Sequence, residues 1–222
     1  MIRVVAIDGP AGSGKSTVAR GVADALDLEV LDTGAMYRAV TQIALEQSLD
    51  LGDGDAIARA AERAVLELGD PPGSVRLDGR DISREIRGPA VSAGVSQVSS
   101  HPAVRALLRR RQREWAEQRG GGVVEGRDIG TVVFTDAPLK IFLTASEDER
   151  ARRRHQDERA AARPAELEAV RDAVDRRDAL DHRTTPLTPA SDAAVIDTTG
   201  READDVVKEI VERFEAAIGA ER

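Results

Sequence analysis

Cysteine is absent from all 222 residues, which excludes disulfides, cysteine-bound zinc and thiol catalysis. Asparagine is absent as well, so the Asn-Lys-x-Asp base-reading motif of a GTP switch protein cannot be present. Aromatic residues make up only 2% of the chain, too few for the base-stacking surfaces of an RRM-type protein. Lysine occurs only at Lys15, Lys140 and Lys208, so arginine carries nearly all the positive charge. The net charge is nevertheless −8, which disfavours broad nucleic-acid binding. The run Arg109-Arg110-Arg111 reads accordingly as a helix surface, and His101, His155 and His182 show no metal-ligand spacing. There is no apolar run long enough to span a bilayer and no charged-then-apolar leader, so a cytoplasmic protein without membrane contact is expected. No heptad seam is apparent, and the expected state is a monomer.

What the chain does have lies near its amino end. Gly9-Pro10-Ala11-Gly12-Ser13-Gly14-Lys15-Ser16 fits G-x-x-x-x-G-K-[ST], with Thr17 following. Before it, Ile2 to Ile7 is a short apolar run suited to a buried parallel strand. After it, Val18, Val22, Ala25 and Leu26 share one helical face. Strand, glycine loop and helix form the context in which this motif cradles phosphates at the positive end of a helix. Lys15 is expected to reach the β- and γ-phosphates and the Ser16 hydroxyl to hold Mg²⁺.

Further along, strands and helices alternate. Leu28–Asp32 reads as a second strand, and a helix follows from Ala35 to about Gln47. Asp53 or Asp55 is expected to cap a helix running to Leu68. Ser74–Leu77 and Arg80–Ile82 flank Asp78-Gly79 as a hairpin. Helices resume from Pro89 to Ser99 and from Pro102 to Arg119, and Gly120-Gly121-Gly122 is expected to end them. Val123–Glu125, Leu139–Thr144 and Ala193–Thr198 are strand candidates, Ser146–Asp178 a charged helical tract, and Glu202–Ile218 a closing helix. Such alternation predicts an α/β fold with a parallel sheet and ligands at the carboxyl ends of its strands.

Three polar clusters follow expected strand ends: the glycine loop, Asp32-Thr33-Gly34 with Tyr37 and Arg38, and Gly126-Arg127-Asp128. A cation at Arg127 could stabilise a transferring phosphoryl group, and Asp128 could orient metal-bound water or a substrate hydroxyl. The structural alternative is a capping Asp32, a surface Arg38 and an Arg127–Asp128 turn pair. The charge run from Glu149 to Arg154 is either a solvated helix face or part of a mobile lid.

These residues resemble the bacterial cytidylate kinases of the nucleoside monophosphate kinase group, along nearly the whole chain. Its landmarks are the generic glycine loop, Arg84-Glu-Ile-Arg87, Val95-Ser-Gln-Val98 and Ala137-Pro-Leu-Lys-Ile-Phe-Leu143. Far more particular are Asp32-Thr-Gly-Ala-Met-Tyr-Arg38 and Gly126-Arg-Asp-Ile-Gly-Thr-Val-Val-Phe134. The resemblance implies a single P-loop kinase domain over 1–222, with a central five-stranded parallel sheet flanked by helices. It implies a small helical and β acceptor-binding insert over 42–99 and a short helical lid with its following helix over 146–183. The reaction implied is transfer of the ATP γ-phosphate to CMP or dCMP with Mg²⁺.

Carried over, Asp32, Thr33, Tyr37, Arg38, Ser96, Arg105, Arg127 and Asp128 belong to the acceptor site. Ser96, Arg105 and Asp128 are then cytosine readers, Arg38 and Arg127 hold the acceptor phosphate, and Arg153 and Arg154 are lid arginines near ATP. The family's Arg-x-x-x-Asp-x-x-Arg pattern of pentose and phosphate contacts is matched by Arg177 and Asp181, while Arg183 follows Asp181 by only two residues. The catalytic set implied is Lys15, Arg127, Asp128, Arg153 and Arg154, acting by position and charge in a direct in-line transfer. The rival readings are a P-loop kinase for UMP, AMP or shikimate, and a P-loop module that senses nucleotide without turning it over.

Overall fold

The computed structural model describes residues 2–69, 73–160, 166, 168, 170–171 and 187–219. The chain divides into two compact units, Met1–Val30 with Gly120–Arg222, and Leu31–Arg119. Strand β1 (Arg3–Asp8) pairs in parallel with β6 (Gly121–Gly126) on one side and β7 (Leu139–Thr144) on the other. With β2 (Val30–Asp32) and β8 (Ala194–Asp197), they form a five-stranded sheet in the order β2-β6-β1-β7-β8. The register sets Asp8 beside Gly126 and Thr144 beside Asp197, so the carboxyl ends carrying the polar segments lie along one edge. The expected α/β sheet is thus present.

The central strands β1, β6 and β7 are buried because they carry apolar residues on both faces. Val5, Ile7, Ile141 and Leu143 pack with Val18 and Val22 of helix α1 (Lys15–Leu26). They also pack with Val206, Ile210 and Phe214 of the closing helix, α7 (Ala203–Gly219). Phe214 is fully buried, and burial of an aromatic side chain of this kind contributes about 3 kcal/mol.

The triple glycine ends helix α5 (Pro102–Arg119) as expected, with Gly120 left-handed at φ 69°, and it does more. Gly121 already opens β6. A Cβ at Gly121, where φ is 148°, would stand 2.3 Å from the Arg3 carbonyl oxygen. Close approach of two backbones, rather than helix termination, accounts for glycine there.

The second unit holds helices α2 (Thr33–Glu46), α3 (Gly54–Arg63), α4 (Pro89–Ser100) and α5. Its small antiparallel sheet has the order β3 (Leu66–Gly69), β4 (Ser74–Leu77) and β5 (Arg80–Asp81). Asp53 caps α3 by accepting from Ala56 N at 2.9 Å. The helix expected to run to Leu68 stops at Arg63, and Leu66–Gly69 is a strand instead. Local alanine propensity yields here to pairing of Leu66 with Leu77 and of Leu68 with Val75. Ile43, Ile57, Val75, Ile82, Ile86 and Leu108 are buried within this unit.

Candidate functional site

The loop between β1 and α1 closes on its own groups. A Cβ at Gly9 would lie 2.2 Å from the Leu143 carbonyl oxygen, so only glycine lets the loop turn against β7. Ser13 is fully buried, and its Oγ donates to Pro10 O at 3.0 Å. Lys15 Nζ donates to the same carbonyl at 2.6 Å, which holds the ammonium over the loop. Gly14, in the left-handed conformation with φ 90°, precedes α1 and supplies no side-chain cap. Backbone N–H groups of the first helical turn are therefore offered to an anion, with the helix dipole in support.

The Ser16 hydroxyl donates to Glu125 Oε2 at 3.0 Å. Glu125 is buried near the end of β6, beside the loop rather than in it. Sequence reasoning read Glu125 only as part of a strand; its signal was a carboxylate closing the apolar run Val123-Val124.

Two residues on, Arg127 Nη1 donates to Gly9 O at 2.9 Å, which ties the segment after β6 to the glycine loop. Asp128 is buried at the mouth of a π-helical turn, Ile129–Val133, that the sequence did not announce. That turn is gripped by another overlooked residue. The Asp8 carboxylate accepts from Ile129 N at 2.7 Å and from Gly130 N at 2.8 Å. Burial pushes the Asp8 carboxyl up to about 6, and the charge of Asp128 adds to this against the pull of the two amides and Lys15. An acid ending the run Val4-Val5-Ala6-Ile7 was the available signal.

Helix α6 (Glu147–Ala160) brings arginines to the loop. Arg150 is buried and its Nη1 donates to Ala11 O at 3.2 Å. Arg153 donates from Nε to Glu149 Oε1 at 2.8 Å and from Nη1 to Thr198 Oγ1 at 2.8 Å. Its Nη2 donates to Thr198 O, also at 2.8 Å. Arg154 is half-buried on the same helix. Thr198 lies just past the end of β8 and was not singled out from the sequence.

The second unit gathers the other candidates. Asp32 caps α2 by accepting from Ala35 N at 2.9 Å, so the capping role considered for it is real. Thr33 is buried at the start of that helix and Tyr37 half-buried one turn on. Arg38 is not on the surface: it is 9% exposed, and Nη1 donates to Ile86 O at 3.2 Å and Ser92 Oγ at 3.0 Å. Ser96 is half-buried on α4. Arg105, half-buried on α5, makes a long contact from Nη1 to Ser99 O at 3.5 Å. Arg177, Asp181 and Arg183 lie outside the described residues.

Comparison with known proteins adds a family to this geometry. A sequence model of the cytidylate kinase family matches residues 5–216. A cytidylate kinase of Mycobacterium avium (strain 104) is 54% identical over 200 residues, covering 88% of each chain. One from Corynebacterium efficiens is 47% identical over 218 residues, covering 96% of this chain and 95% of the other. Among solved structures, an uncharacterized protein from Eubacterium ventriosum superposes with a TM-score of 0.53 at 13% identity. It covers 96% of this chain and 99% of that one, a likeness of fold alone.

Proposed function

This chain belongs to the cytidylate kinase family, and we propose that it transfers the γ-phosphate of ATP to CMP or dCMP, giving ADP and the nucleoside diphosphate. The observation that carries this reading is the convergence on one glycine loop of Lys15, the Ser16–Glu125 pair and Arg127. An acceptor phosphate is already ionised near neutral pH, so its oxygen attacks the γ-phosphorus directly and the β–γ bridging oxygen leaves with ADP. No residue needs to act as a strong base, and catalysis is positioning plus charge neutralisation.

Lys15 leaves Pro10 O to meet the β- and γ-phosphates, while first-turn amides of α1 hold the phosphates they face. Arg127, fixed on Gly9 O, and Asp128, fixed through the turn that Asp8 grips, orient the acceptor. Arg153 and Arg154 supply further positive charge from α6. In the second unit, Arg38 takes the acceptor phosphate, Ser96 and Arg105 read cytosine, and Asp32, Thr33 and Tyr37 complete that side. Residues 42–99 form the acceptor insert in this reading, and 146–183 the lid with its helix.

The residues present fit Mg²⁺. The Ser16 hydroxyl and Glu125 carboxylate are hard oxygen donors 3.0 Å apart, and Mg²⁺ is commonly held by one or two such groups together with substrate phosphates and water. When bound there it offsets negative charge on the transferring phosphate. No helix among the described residues is long and apolar enough to cross a membrane, and the reading assigns the enzyme to the cytoplasm, as a monomer.

The test is the fate of the γ-phosphate. With γ-labelled ATP, Mg²⁺ and CMP, the label is expected in CDP. Label released only as inorganic phosphate, or retained in bound ATP, would overturn the assignment.

A further inference from the structure

We propose that Thr198 and Glu149 are positioning residues for phosphoryl transfer, forming a clamp that fixes the Arg153 guanidinium over the glycine loop. The proposal rests on the kinase reading above, because it gives Arg153 work only if a phosphate lies on that loop.

The clamp takes hold of all three nitrogens of the guanidinium. Nε goes to Glu149 Oε1, Nη1 to Thr198 Oγ1 and Nη2 to Thr198 O, each at 2.8 Å. A long, flexible arginine side chain held at three points has lost most of its rotamer freedom before substrate arrives. What it is aimed at follows from the loop: a Cβ built on Gly14 would stand 3.3 Å from Arg153 Nη1. Gly14 is the residue from which α1 starts, where phosphate oxygens are to be held.

The Thr198 hydroxyl has one proton and two lone pairs. It accepts from Arg153, and its own hydrogen faces Ser13 O at 3.1 Å and Thr144 O at 3.0 Å. One buried hydroxyl thereby links α6, the glycine loop and the end of β7. Its backbone N–H holds β8 to β7 separately, at Thr144 O, 2.8 Å away. That separation matters, since side-chain replacement leaves the backbone bond in place. Glu149 is shared with Arg152, whose hydrogen bond, together with the charge of Arg153, keeps the Glu149 carboxyl below the ordinary carboxylate range. Glu149 is thus ionised at neutral pH. Arg150 on Ala11 O docks the same helix on the same loop. The first two turns of α6 therefore belong to the phosphate platform.

The consequence is electrostatic preorganisation: a cation held in place costs no reorganisation when charge shifts in the transition state. It should appear in kcat rather than in the KM for CMP.

The experiment is a double-mutant cycle on CMP-dependent ADP formation, with Thr198→Val, Thr198→Ser, Arg153→Ala and Thr198→Val/Arg153→Ala, each with its thermal midpoint. Valine keeps the shape and removes the hydroxyl. Thr198→Val is expected to lower kcat about tenfold, the scale of a lost charged hydrogen bond, with the KM for CMP unchanged. Thr198→Ser restores the rate, and in the Arg153→Ala background the valine change costs nothing further. An equal loss in that background, or none with Arg153 present, overturns the proposal. Should Thr198→Val not fold, Glu149→Gln is put through the same cycle and judged by the same criterion. Failure of the kinase reading would look different, because the unmodified chain would then form no CDP.

Discussion

The phosphate end of the five-stranded sheet and the helical unit Leu31–Arg119 hold their charged groups in different ways. At the phosphate end the contacts leap along the chain: Arg127 to Gly9 spans 118 residues, Ser16 to Glu125 spans 109 and Thr198 to Ser13 spans 185. In the helical unit Arg38 reaches Ile86 across 48 residues, and Arg105 reaches Ser99 across six. The first region exists only when β1, β6, β7 and β8 are assembled, since its parts sit on their ends. The second is put together within the unit Leu31–Arg119. Loss of a group from the first should therefore alter the rate of transfer, and loss from the second the hold on the acceptor.

The sharpest break of that comparison is Lys15→Ala. It removes the loop's own cation while leaving the buried sheet alone, and kcat is expected to fall by about 10²–10³ with the thermal midpoint little changed. Near-normal turnover by folded protein would show that charge on the loop is not what the phosphate end provides. Arg38→Lys probes the other side. It keeps the charge but gives up the planar guanidinium whose Nη1 donates to both Ile86 O and Ser92 Oγ. The expected result in steady-state kinetics is a rise in the KM for CMP of about tenfold, with kcat less affected; a loss confined to kcat would erase the distinction.

A third test is one of stability rather than of rate, and concerns Asp8. Its carboxyl is raised from 3.8 to about 6 in the folded protein, mainly by burial. A carboxyl with a raised folded value destabilises the fold once it must ionise, so its cost is complete above about pH 6 and vanishes below about pH 4. The difference corresponds to about 3 kcal/mol. Relative to Asp8→Asn, the unmodified protein should gain stability by up to about that amount as pH falls from 7 to 4, read by denaturant unfolding at both values. A pH-independent difference would mean that the carboxylate titrates normally. Retention of an ionised acid there despite its cost fits its grip on the turn that follows Arg127 and Asp128.

Legibility in the sequence follows the same divide, with a twist. The glycine loop, β1 and α1 were readable because strand, turn and helix signals are local and agree with one another. The polar clusters at expected strand ends brought in Arg38 and Asp128, and the family resemblance alone brought in Ser96 and Arg105. What stayed hidden depends on partners far along the chain. Leu66–Gly69 looks helical until β4 pairs with it, and Gly121 looks like a helix stop until β1 lies against it. Asp8, Glu125 and Thr198 are ordinary residues locally, and acquire roles only because parallel strands bring their ends together. The π-helical turn at Ile129–Val133 has no periodicity of its own and forms where Asp8 accepts its first amides.

Transfer to a cytidine nucleotide is tested most directly by ranking acceptors by kcat/KM for ADP formation from Mg·ATP, with CMP, dCMP, UMP, AMP and shikimate offered separately. CMP and dCMP are expected to stand far above the rest. Preference for any other member of that panel, or ATP bound without turnover across all of it, would rule that transfer out.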